Sequence, residues 1–146
     1  VYNNWLYAIA SFTNTTYYRV PINPDGSFGE RITYSTSIAL TNWGGTYYNG
    51  YVYLVGGDKP WQSYHETVPT TMVQYARINA DGSIGNWIQT TSLNKSRNAD
   101  GVVAYNGYLY AIAGYGSGNS VEYASINPDG SLGKWKFTAS LPTPFK

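Results

Sequence analysis

The chain has 146 residues, of which 12% are charged and 17% aromatic, with a formal net charge of +1 and no cysteine. Few charges and many aromatics mark a chain that folds rather than a disordered one, and the near-neutral balance gives no basic stripe for nucleic acid and no polybasic run for an anionic membrane. The missing cysteines remove disulfides, thiolate chemistry and Cys-ligated zinc, and no apolar run approaches the roughly 20 residues of a membrane-spanning helix.

The chain opens at Val1 rather than at a methionine, as expected of a processed form, an excised piece or a chain whose ends are unknown. The first pattern is Tyr2-Asn3-Asn4-Trp5-Leu6-Tyr7-Ala8-Ile9-Ala10-Ser11, an apolar strand behind an Asn-Asn turn. Next comes Asn23-Pro24-Asp25-Gly26-Ser27-Phe28-Gly29, a turn in which Pro presets φ and Asp-Gly accommodates the bend. Both patterns then return in the same order. The strand pattern reappears as Tyr48-Asn49-Gly50-Tyr51-Val52-Tyr53-Leu54-Val55-Gly56-Gly57, and as Tyr105-Asn106-Gly107-Tyr108-Leu109-Tyr110-Ala111-Ile112-Ala113-Gly114. The turn pattern reappears as Asn79-Ala80-Asp81-Gly82-Ser83-Ile84-Gly85, and as Asn127-Pro128-Asp129-Gly130-Ser131-Leu132-Gly133. Two unrelated markers recurring in step define a repeat.

Each repeat predicts four strands. In the third they are Gly101 to Tyr105, Tyr108 to Ala113, Val121 to Ile126 and Lys134 to Ser140. Asn106-Gly107 joins the first two, because a type I′ hairpin turn needs φ > 0 at both central residues. The second strands are apolar on both faces, so both faces need a cover. With no helical period anywhere, that cover must be other sheets. Small sheets stacked face to face around an axis answer this, which predicts an all-β chain of β-propeller blades. The expected divisions are residues 1–40 for a partial first blade lacking most of its inner strand, 41–97 for the second, and 98–146 for the third. Three blades do not close a ring. The missing ones are expected from a longer protein of the same kind or from further copies of the chain.

The Gly56-Gly57 pair, Tyr53 and Tyr110 of the second strands, and Trp87 and Trp135 of the fourth strands resemble the kelch-type repeat. The style "Tyr-Asn-Gly-Tyr … Asn-Pro-Asp-Gly-Ser … Gly-x-Trp" is similar to repeat arrays in predicted bacterial surface proteins. The resemblance implies a kelch-like propeller and an extracellular or cell-surface location. It leaves function open, since kelch propellers serve as oxidases, adhesins, cytoskeletal binders and adaptors. Three positions depart from the pattern: Arg31 stands for the Trp, Gly114 lacks a glycine before it, and Ala10-Ser11 replaces the glycine pair.

Ligand contacts are expected on the edge where the second-to-third and fourth-to-first connections emerge. The second repeat carries an insertion there, Asp58 to Pro69, with the one histidine of the chain. Trp61, Tyr64, His65 and Glu66 of this insertion, with Trp43 and Arg97 from neighbouring connections, are the candidate ligand-binding residues. A second reading folds the aromatics over the sheet edge as cover. No catalytic set, metal site or cofactor is expected. His65 has no second histidine, and Asp25, Asp81 and Asp129 read as turn formers rather than calcium ligands. The expected function is a non-catalytic binding or adhesion module for a glycan or a protein. The alternatives are a structural protein assembling through its exposed sheet faces, and a fragment of a propeller enzyme.

Overall fold

A computed structural model describes residues 3–9, 16–36, 40–59, 68–98 and 101–143. None of the described residues is helical, and the strands form three antiparallel sheets. The chain divides into two compact units, Val1–Ile38 and Ala39–Lys146.

The first unit holds one sheet, in the order β1 (Trp5–Ile9), β2 (Thr16–Pro21), β3 (Ile32–Ser35). Asn3 and Asn4 precede β1 with φ of 46° and 61°, the conformation that the Asn-Asn pair predicts. Tyr17 is buried and stacks on Tyr34 with ring centroids 4.9 Å apart. The Arg19 guanidinium lies 4.1 Å from the centroid of the Trp5 ring. Arg31 lies over the Tyr18 ring at 4.6 Å, so the residue that replaces the repeat's Trp still covers apolar surface.

The second unit holds two sheets. One runs β4 (Gly44–Tyr48), β5 (Tyr51–Val55), β6 (Val73–Arg77), β7 (Ile88–Gln89). The other runs β8 (Gly101–Tyr105), β9 (Tyr108–Ile112), β10 (Val121–Ser125), β11 (Lys136–Thr138). Tyr48 pairs with Tyr51 and Tyr105 with Tyr108, so Asn49-Gly50 and Asn106-Gly107 are two-residue hairpin turns with every φ positive.

The three Asp-Gly-Ser turns repeat bond for bond. In each, the Asp carboxylate accepts from the Ser amide and hydroxyl two residues on, and the Asn amide donates to the same Ser Oγ. Turn chemistry thus occupies Asp25, Asp81 and Asp129. The serine bonds hold the Asp25 and Asp129 carboxyls below the usual Asp range.

The two sheets of the second unit meet through a core. Tyr53, Val55, Val73 and Tyr75 from one pack with Leu109, Ala111, Ala124, Leu132 and Trp135 from the other. The Tyr53 hydroxyl donates to Gly130 O at 2.9 Å, and Trp135 Nε1 donates to Thr91 O at 2.9 Å. A Cβ added at Gly130 would come within 2.6 Å of the Tyr51 ring, so this turn seats on Tyr51 only as glycine.

Two expectations need correction. The fourth strands are shorter than the sequence predicts, because only Val121–Tyr123 finds partners on β11, and Trp135 turns inward to the core before the ladder begins. The second strands also differ in cover. Val52 to Val55 of β5 are buried whichever face they point to, whereas in β9 only Leu109 and Ala111 are, and Tyr108 is 40% exposed.

Candidate functional site

The edge bearing the long connections is knitted by backbone bridges. Gly56 and Gly57 leave β5 with φ of 63° and 97°. A Cβ on Gly56 would strike the Arg97 carbonyl, which itself accepts from the Gly57 amide at 2.8 Å. Asp58 exchanges backbone bonds with Thr41 at 2.7 and 3.0 Å and bridges Pro69. Thr70 bonds Gly57 O and is bridged to Arg97, and Asn98 exchanges bonds with Tyr115. The stem of the insertion, on both sides of residues 59–68, is therefore fixed.

Two side-chain networks sit beneath. The first centres on Asp58, which is 2% exposed. Its carboxylate accepts from Asn42 Nδ2 at 2.8 Å and from Asn98 Nδ2 at 2.7 and 2.8 Å. Among the described residues, these two amides are what the buried carboxylate bonds to. The second is the Arg97–Glu122 ion pair at 2.6 Å, with both side chains fully buried. Arg97 Nη1 also donates to the carbonyls of Ala111, Ala113 and Ser120. Glu122 accepts from the Asn94 amide and side chain and from the Lys95 amide. Both charges are hydrogen-bonded as well as paired, which a buried ion pair requires.

The sequence-predicted residues fare differently. Trp61, Tyr64, His65 and Glu66 lie outside the described residues. Trp43 is half-buried, packed beside Gly45 and Gly57, and its buried Nε1 has no hydrogen-bond partner among the described residues. Arg97 was expected among surface loops but is fully buried, because its guanidinium closes the β9–β10 edge and neutralises Glu122. It belongs to the scaffold under the loops. Sequence reading missed Asp58, Asn42 and Asn98 as one network, and Glu122 as the partner of Arg97. The legible signal was comparison between repeats: one repeat earlier, the positions of Arg97 and Glu122 hold Leu40 and Gln74. Among the described residues of this edge, Tyr115 is a large aromatic that faces solvent, 68% exposed.

No family model and no curated protein matches the chain. Among solved structures, one entitled "Structure of YjhT" is similar in fold, with a TM-score of 0.66 and 11% identity. The match covers 97% of this chain and 50% of that one, so the chain spans about half its length.

Proposed function

We propose that the three sheets are successive blades of a kelch-like β-propeller, and that the chain is a non-catalytic binding module for a glycan or a protein. The stepwise recurrence of hairpin, turn and core positions supports the blades. The contact of two of these sheets face to face supports stacking. Further blades come from a longer protein or from other copies, and the module works outside the cell or on its surface.

One observation carries the binding reading: the 59–68 connection leaves and rejoins the sheet through a bonded stem, buried at Asp58 and Thr70 and bridged at Pro69. A stem fixed on both sides shortens the stretch of chain left to order when a ligand binds, which favours affinity. The charges beneath are paired and fully buried, so neither Arg97 nor Glu122 presents its side chain to a ligand at the surface. Contact then falls to Trp61 and Tyr64 of the insertion, with Tyr115 beside its stem.

The test replaces residues 60–67 with a Gly-Ser segment of equal length and compares both proteins on an immobilised array of neutral and acidic glycans. Loss of glycan signal at an unchanged melting temperature is the expected result. Equal binding by both proteins would sink the reading, as would catalytic turnover of a bound glycan.

A further inference from the structure

The core between β4–β7 and β8–β11 shows what one repeat asks of the next. On the first sheet it uses Tyr48, Tyr51, Tyr53 and Tyr75; Tyr53 is fully buried and Tyr75 8% exposed. The equivalent positions on the second sheet are Tyr105, Tyr108, Tyr110 and Tyr123. There Tyr105 is 72% exposed and Tyr108 40%. The ring packing is already formed: Tyr110 stacks on Tyr123 at 6.0 Å, as Tyr53 does on Tyr75 at 6.1 Å. Beside these rings lies a groove of about 370 Å³ lined by Tyr108, Tyr123, Ser125, Lys134 and Lys136. Its counterpart at Tyr51 seats the Gly130 turn.

The matching half is exposed on β1–β3. Gly130 and Leu132 are buried against the first sheet of the core, whereas their equivalents Gly26 and Phe28 are exposed, Phe28 by 62%. The charges are complementary as well. Lys134 and Lys136 replace the neutral Asn86 and Ile88 at the groove, and the turn that would enter carries Asp25.

We propose that the tyrosine face of β8–β11 binds the β1–β3 sheet of a second copy of this chain, head to tail. The Asp25-Gly26-Ser27 turn of the partner copy enters the groove, and Asp25 meets Lys134 and Lys136. The Tyr110 hydroxyl donates to its Gly26 carbonyl, as Tyr53 does to Gly130. The Tyr105 hydroxyl accepts from its Asn4 amide, as Tyr48 does from Gly107 at 3.0 Å. The contact is heterologous, so it leaves one free half at each end of a pair and admits closed rings or open chains. The inference rests on reading the sheets as equivalent blades. Native mass tests it separately from any ligand of the 59–68 connection.

The experiment is light scattering after size exclusion over a wide dilution series. The 146-residue chain is expected to show concentration-dependent species of at least twice the 16.1 kDa single-chain mass. A single-chain mass at every concentration overturns the proposal. Tyr105→Arg and Phe28→Asp alter exposed side chains on opposite halves, and circular dichroism confirms that each folds. Each alone is expected to fall to single-chain mass. Their equimolar mixture is expected to return to twice that mass and no further, because each variant keeps one intact half. Association that survives either substitution, or a mixture that stays at single-chain mass, overturns the proposal. Raised salt is expected to shift the wild-type chain toward single copies, since the Lys134, Lys136 and Asp25 contribution is screened.

Discussion

The Tyr53 hydroxyl and the Gly130 carbonyl oxygen, 77 positions apart in sequence, lie 2.9 Å apart inside the core. The bond ties the second strand of one sheet to the turn of the next. Tyr53→Phe keeps the ring and leaves a buried carbonyl unsatisfied, which costs about 1–2 kcal/mol. Urea denaturation should show a lower midpoint with an unchanged slope.

The same burial has an alkaline signature. Burial, with the neighbouring Tyr51 and Tyr75, pushes the Tyr53 hydroxyl above its usual value, and Tyr75 is raised mainly by burial too. Because the folded pKa is raised, the stabilisation is complete below the unfolded Tyr value near 10 and is lost as pH rises from there toward the folded value. Thermal midpoints should fall steeply above pH about 10, and less steeply in Tyr53→Phe. Parallel slopes in the two proteins would contradict this.

Arg97 and Glu122 offer a cleaner cycle than most buried pairs, because one repeat earlier the same positions hold the neutral Leu40 and Gln74. Arg97→Leu or Glu122→Gln alone leaves one buried charge unpaired and should cost about 3–5 kcal/mol. The double substitution installs the two residues found one repeat earlier. It should be more stable than the summed losses predict, by about 1–3 kcal/mol. Strict additivity in chemical denaturation would mean that the two side chains do not act together.

Legibility in the sequence followed the range of the interaction. Asn49-Gly50, Asn106-Gly107 and the Asp-Gly-Ser turns were readable because a positive φ or an Asp-to-Ser bond is settled within a few residues. The three antiparallel sheets followed from their recurrence. The role of Arg97 was not readable, since it meets Glu122 only after β9 and β10 pair and the connection before β8 folds beneath them. Seen in one repeat, an arginine in a polar connection looks like a surface residue; Leu40 at the equivalent position is the clue that the site is interior. The short β7 and β11 were overread because Trp87 and Trp135 look like strand residues, while Trp135 is committed to the core.

Acid should act through the turns. Asp25 and Asp129 are held below the ordinary Asp range, chiefly by the Ser27 and Ser131 hydroxyls. A lowered folded pKa gives stability that is present above the unfolded value, near pH 4, and lost as pH falls through the folded one. Asp129→Asn should lower the thermal midpoint at neutral pH, and its curve should converge on the wild type below pH about 4. A constant gap across the acid range would show that the turn's contribution is not ionic.

Asp58 gives the most local test of the scaffold under the insertion. Its two carboxylate oxygens accept every bond they make, from Asn42 and Asn98. Asp58→Asn turns one acceptor into a donor, and either orientation of the new amide faces an existing N–H. The mismatch is buried and should cost about 1–3 kcal/mol. The backbone of Asp58 also pairs with Thr41 and Pro69, so the loss should loosen the stem before it touches the core. Hydrogen exchange should therefore quicken at the Asp58, Thr70 and Asn98 amides, while the Tyr53 and Leu109 amides keep their protection. If all of these amides quicken equally, Asp58 supports the whole unit rather than the stem.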